Sequence, residues 1–142
     1  ALVVAKLVKA YKPQLVEFAI DRNALKYEGA AEVAEMLKTN DDIRTLDVRF
    51  CALGPEGIKV LCEALKVNTS VEKVLALANN LGEHGAKAVE DLLRTKPDPE
   101  TLRHFDLQDN LFPSENKKAL RDLASKRAPN LRLVIDAVDS HD

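Results

Sequence analysis

Five side chains here are of types that do nucleophilic, acid–base or metal chemistry near neutral pH: Cys51, Cys62, His84, His104 and His141. His104 and Asp106 stand two residues apart, so on a strand both would face one side and could share a ligand. Two ligands do not make a metal site, and no third His or Cys falls in the neighbouring rows, so a solvated strand pair is expected. Cys62 lies within an apolar helical set and reads as core rather than nucleophile. His84 falls at a loop–helix junction and is expected in solvent. Glu56 and Glu83 fall in first helical turns, where negative charge favours the helix dipole. The chain contains no Walker A sequence, no GxGxxG, no HExxH and no GxSxG. The expectation is no catalytic, cofactor-binding or metal residues, no cofactor, and no enzyme.

The elements that position these residues follow from the bulk numbers and from a repeat. With 142 residues, 46% of them apolar, the chain suits one domain with a continuous core. Its 21 basic and 23 acidic residues leave a net charge of −2, which gives no footprint for nucleic acid or an anionic membrane. Two cysteines outside a CxxC pair point to a reducing intracellular compartment, such as the cytoplasm. No apolar run approaches the ~20 residues that span a bilayer. Ala1 to Val8 is interrupted by Lys6 and has no cleavage pattern after it, so a buried helix is expected rather than a signal sequence. The initial Ala1 predicts that the natural start lies further upstream.

From a frame beginning at Leu15, positions 0, 3, 5, 8 and 10 read Leu15, Phe18, Ile20, Asn23 and Leu25. One step of 28 residues gives Ile43, Leu46, Val48, Cys51 and Leu53, and the next gives Val71, Val74, Ala76, Asn79 and Leu81. The fourth frame gives Leu102, Phe105, Leu107, Asn110 and Phe112, after a 31-residue unit lengthened by Lys96-Pro97-Asp98-Pro99-Glu100-Thr101. A fifth start, Leu131 to Ile135, ends the series. The polar slot, Asn23, Cys51, Asn79 and Asn110, is expected to form a structural ladder. An Asn there exchanges hydrogen bonds with the backbone of adjacent turns, and a buried Cys is its small substitute.

The second half of each unit has helical spacing: Gly29, Ala30, Val33, Met36 and Leu37; Gly57, Ile58, Leu61 and Leu65; Gly85, Ala86, Val89, Leu92 and Leu93; Ala119, Leu120 and Leu123. Small residues at the helix start are expected to let it lie close on the strands. Pro55 suits a first turn and Ser114 an N-cap. A single strand–loop–helix unit cannot bury its apolar face, so stacking is required. The predicted fold class is α/β, a solenoid arc with a parallel sheet on the concave face, helices on the convex face, about four repeats and a terminal strand. One domain, 1–142, divides into a helix of a preceding repeat (1–14), repeats 15–42, 43–70, 71–101 and 102–130, and a C-terminal strand with an acidic tail (131–142).

The spacing LxxLxLxx(N/C)xL is that of a leucine-rich repeat, and Ile43 to Gly57 and Val71 to Gly85 resemble the ribonuclease-inhibitor-like subfamily with its 28-residue repeats. Membership implies a fold more than a function. The subfamily includes nuclease inhibitors, Ran GTPase-activating proteins, tropomodulins, innate-immune receptor domains and axonemal scaffolds, whose shared activity is protein binding. The turns Leu37-Lys38-Thr39-Asn40 and Leu65-Lys66-Val67-Asn68-Thr69-Ser70 are also similar to tropomodulin actin-capping repeats. The long turn at 96–101 and Asn116, where the other units have Gly, depart from the pattern.

If positions 3 and 5 point inward, positions 2, 4 and 6 face the concave surface. They read Glu17, Thr45, Lys73 and His104; Ala19, Asp47, Leu75 and Asp106; Asp21, Arg49, Leu77 and Gln108. Arg49 is expected beside Asp21 as a surface ion pair. Leu75 and Leu77 are expected as exposed apolar anchors ringed by Asp47, Arg49, Lys73, Asp106 and Gln108, with His104 alongside. The N-terminal strand would have an open edge, covered by further repeats or another chain. These readings imply a non-catalytic protein-interaction module or scaffold subunit of an intracellular assembly, cytoskeletal or ciliary, with protein partners and neither nucleic acid nor membrane. The family likeness implies, as an alternative, a regulator of a small GTPase or of actin filaments.

Overall fold

The computed structural model describes residues 17–19 and 24–136. Five short strands, β1 (Glu17–Ala19), β2 (Thr45–Asp47), β3 (Lys73–Leu75), β4 (His104–Asp106) and β5 (Arg132–Val134), form a parallel sheet in chain order. Between them run α1 (Lys26–Thr39), α2 (Gly54–Val67), α3 (Gly82–Thr95) and α4 (Ser114–Arg127), and a 3-10 turn over Pro99–Thr101 takes up the longer third connection. The expected segment 1–14 and most of the tail lie outside the described residues, as do Leu15, Ile20, Asp21 and Asn23.

The sequence frame is the register. Phe18, Leu46, Val74, Phe105 and Leu133 pair in turn across the sheet. The pairing of His104 with Arg132 sets the fifth frame at Asn130, one residue before the Leu131 expected from sequence. Leu46, Val48, Val74, Ala76, Phe105 and Leu107 are buried against Val33, Met36, Leu37, Ile58, Leu61, Leu65, Val89, Leu92, Leu93 and Leu120 of the helices. Full burial of such a side chain stabilises by about 1.5–3 kcal/mol. That layer holds the stack together.

Two polar ladders run through it. Asn79 Oδ1 accepts from the backbone N–H of Cys51 at 2.9 Å and Leu53 at 3.3 Å, and its Nδ2 donates to the carbonyls of Val48 and Ala76. Asn110 repeats this one unit on, accepting from Asn79 N–H and donating to Ala76 and Leu107. Cys51 Sγ donates to the Arg49 carbonyl in the same loop at 3.3 Å, a thiol standing where the other units have an amide. The second ladder joins helix C-termini, whose last carbonyls have no partner within the helix. Asn68 Nδ2 donates back to Leu37 and Asn40, Lys96 Nζ to Leu65 and Asn68, and Arg127 to Leu93, Arg94 and Lys96. Asn40 holds the same position one unit earlier; its Nδ2 is buried without an acceptor among the described residues.

Two local expectations are corrected. The helix-start glycines clear the leucine four residues earlier, not the sheet: a Cβ on Gly85 would fall 2.5 Å from Leu81 Cβ, and on Gly29 2.7 Å from Leu25 Cδ2. Ser114 is not the N-cap of α4. Pro113 is, in an extended conformation, and Ser114 is the first helical residue. Gly54 (φ 65°), Gly82 (φ 62°) and even Lys26 (φ 55°) enter their helices through the left-handed region, which the proline ring forbids to Pro113. The fourth helix therefore starts by a different turn, which accommodates the half-buried Lys117 and the buried Asn116 in place of Gly.

Candidate protein-binding face

The alternation of each strand turns one set of side chains away from the helices. Register aligns Glu17, Thr45, Lys73, His104 and Arg132 in one row and Ala19, Asp47, Leu75, Asp106 and Val134 in the next. Neighbours within a row sit about 4.8 Å apart. Arg49, Leu77 and Gln108 extend the surface where the strands end. Their loops remain in step, with Phe50 N–H donating to Leu77 and Ala78 N–H to Gln108.

The sequence-derived residues do lie together, but not as an exposed anchor in a charged ring. Leu75 and Leu77 are half-buried rather than exposed, because the flanking strands shield their sides. Asp47 is 5% exposed and belongs to the floor of the surface rather than its rim. Its Oδ1 accepts from Arg49 Nε at 2.9 Å and its Oδ2 from Arg49 at 2.7 Å, a two-pronged contact along one strand. The expected Asp21 partner of Arg49 lies outside the described residues. Asp106 is engaged in the same way, accepting from the backbone N–H and the Nε2 of Gln108. Lys73 is exposed, and His104, Asp106, Arg49 and Gln108 are half-buried. Burial and the flanking cations Lys73 and Arg132 hold the His104 pKa below its usual value, against a smaller opposing pull from Asp106.

On the helical side, an open groove of about 410 Å³ between α2 and α3 is lined by residues including Pro55, Lys59, Cys62, His84 and Asp91. Burial pushes the Cys62 thiol up to about 12, so it stays protonated and inert at neutral pH. Lys66 bridges Asp91 and Glu63 beside it, tying the two helices. Among the described residues, no cluster of three or more His, Cys, Asp or Glu is placed to hold a metal ion, and no helix is long and apolar enough to cross a membrane.

Comparison with known proteins places the architecture. The family described as Leucine Rich repeat matches residues 39–62. A structure titled "Leiomodin-1 Actin-Binding Site 2 (ABS2)" superposes with a TM-score of 0.78 at 16% identity, covering 94% of this chain and 77% of that one. The tropomodulin C-terminal domain of Caenorhabditis elegans superposes with a TM-score of 0.72 at 14% identity, covering 98% of this chain and 86% of that one. The fold is of the leucine-rich-repeat type, an α/β stack shared with the domains of leiomodin and tropomodulin.

The second ladder escaped sequence reading although its signal was present: Asn40, Asn68 and Lys96 recur at 28 residues, and Arg127 follows at 31. The change of residue type from Asn to Lys to Arg hid a conserved geometric task.

Proposed function

We propose that this chain is a non-catalytic protein-interaction module, docking its partner on the concave sheet face through Leu75 and Leu77, with Arg49, Lys73, His104, Asp106 and Gln108 around them and Asp47 fixing Arg49 from below. One observation carries the reading: both leucines stand on the side of the sheet away from the helices, half-uncovered, among polar groups already oriented by their own hydrogen bonds. An apolar centre with a preorganised polar surround is the composition of a binding hot spot. Cross-linking mass spectrometry of the native complex tests it. Cross-links from the partner should fall on Lys73 and spare Lys59 and Lys87 of the helices; the reverse distribution contradicts it.

A second reading is an actin-filament regulator, tropomodulin-like, acting in the cytoskeleton of a reducing intracellular compartment. Its support is the likeness to a domain whose title is an actin-binding site. Co-sedimentation with filamentous actin, and a filament-end elongation assay, decide it: no binding and unchanged elongation would remove actin as the partner.

A further inference from the structure

The apolar part of the concave face runs on past the strands. Ala78, half-buried, follows Leu75 and Leu77 on the same chain, and the preceding unit sets Phe50 beside them, its N–H donating to the Leu77 carbonyl at 3.0 Å. Phe50 is 40% exposed. Phe50 (φ 56°), Ala78 (φ 56°) and Asp109 (φ 57°) hold one left-handed backbone in three successive loops. Aspartate tolerates that conformation, whereas a bulky side chain adopts it at a cost. A strained aromatic residue left partly in water departs twice from local preference, and such departures gather at working surfaces.

The flanks of this apolar edge differ in charge. Toward β2, Arg49 is matched by Asp47 through two hydrogen bonds. Toward β4 stand two carboxylates: Asp106, paired in register with Leu75, and Asp109, in the loop whose Gln108 carbonyl accepts from Ala78 N–H. Asp106 keeps its full charge, because its bonds come from the backbone and the neutral amide of Gln108. Lys73 and His104 lie one row back, toward the strand starts, and offset Asp106 in part. Asp109 lies further on, exposed and without an ion pair among the described residues; Lys117, which lines the same hollow, is taken by Asp136.

We propose that Phe50, Leu77 and Ala78 seat an aromatic or long aliphatic side chain of the partner protein, and that Asp106 and Asp109 hold an arginine or lysine close to it in the partner's sequence. The proposal rests on the interaction-module reading and adds the partner's chemistry: an apolar residue with a cation, crossing the sheet at its loop edge. Phe50, Ala78 and Asp109 stand on adjacent units about 4.8 Å apart, so the seat spans about 10 Å, or three residues of an extended chain. An apolar anchor beside a charge-assisted hydrogen bond supplies both strength and orientation.

The test uses the whole chain and a synthetic peptide carrying one phenylalanine and two arginines in a Gly-Ser background, followed by fluorescence anisotropy and by amide shifts in ¹⁵N-labelled protein. Shifts should centre on residues 49–52, 75–80 and 106–111. Asp109→Asn, which suits the left-handed backbone, should leave Tm unchanged and weaken binding about tenfold, the equivalent of one lost charge-assisted contact. Phe50→Ala should weaken it at least as much with the amide positions of the helices unmoved, and added salt should weaken it further. Equal binding of a peptide with glutamate for arginine or with alanine for phenylalanine, shifts confined to the helices, or no binding at all would each overturn the seat. Self-association of the chain that Phe50→Ala abolishes in sedimentation velocity would give the edge to a second copy and overturn it too. If the peptide fails while Leu75→Glu still abolishes capture of the native partner, the seat falls and the interaction-module reading stands; if Leu75→Glu leaves capture intact, that reading fails with it.

Discussion

Lys96 occupies the place that Asn68 occupies one unit earlier: its ammonium donates to Leu65 at 2.6 Å and to Asn68 at 2.7 Å, as the Asn68 amide donates to Leu37 at 2.8 Å and to Asn40 at 3.0 Å. A lysine that is 4% exposed thus does the work of an asparagine, binding one helix C-terminus to the next turn. Lys96→Met keeps the stem and removes the donor, leaving two carbonyls to lose a bond. The expected cost is about 2–3 kcal/mol, read from urea unfolding as a lower midpoint at unchanged slope. A shift below about 0.5 kcal/mol, the range of ordinary surface substitutions, would show the ladder to be incidental.

Gly85→Ala reverses the usual rule for helices, in which alanine is favoured over glycine by roughly 0.5–1 kcal/mol. Its new methyl would fall 2.5 Å from Leu81 Cβ, so destabilisation of about 1–3 kcal/mol is expected. Leu81→Ala costs stability alone by opening a cavity, yet keeps the same Cβ. The two changes combined should therefore sum without strong rescue, whereas a large rescue would place the clash at the leucine methyls instead. Thermal unfolding of the four proteins in the cycle measures this.

Leu111 holds a φ of 61° with its side chain 75% exposed. A non-glycine residue in the left-handed region carries about 1–2 kcal/mol of strain, less for asparagine, which stands at the equivalent Asn80 with a φ of 55°. Leu111→Asn is expected to stabilise by about 0.5–1 kcal/mol, seen as a raised Tm. Loss of stability would mean that the leucine packs on something that compensates its backbone.

Asp136 receives Lys117 at 2.8 Å and Arg121 at 3.1 Å, bringing the end of the described chain back onto α4. The hydrogen bond from Lys117, with that from Arg121, holds its pKa below the ordinary 3.8. A depressed carboxylate pKa adds stability that is present above 3.8 and lost as pH falls through the folded value. Because the pair is well exposed, its worth is below about 1 kcal/mol. Asp136→Asn should lower Tm slightly at neutral pH, and the difference should close as the solution is taken below that range. A gap that persists in acid would trace to packing rather than charge.

The spacing of apolar residues made the register legible, because a strand side that faces helices must repeat its aliphatic positions at the repeat length. Phe105 follows Val74 at 31 residues instead of 28 and still pairs with it, since the inserted residues are absorbed by the Pro99–Thr101 turn before the strand begins. The Asn79–Asn110 ladder was legible for the same reason. The depth of Leu75 and Leu77 was not, because exposure within a sheet depends on the neighbours' side chains as well as on alternation. Nor was the start of α4: that Pro113 falls where the other units need a positive φ becomes a signal only once Gly54 and Gly82 are seen to have one.

The central claim is that one side of the sheet is sealed by helices and the other is left for a partner. Single cysteines at Val74, Leu75 and Lys59, labelled with a maleimide before and after addition of the captured partner, measure it most directly, since Cys51 and Cys62 are buried. Leu75→Cys should label in the free chain and become protected in the complex, Val74→Cys should resist throughout, and Lys59→Cys on the helical side should label in both. Protection of Lys59→Cys with Leu75→Cys still reactive, or ready labelling of Val74→Cys in the free protein, would contradict the account.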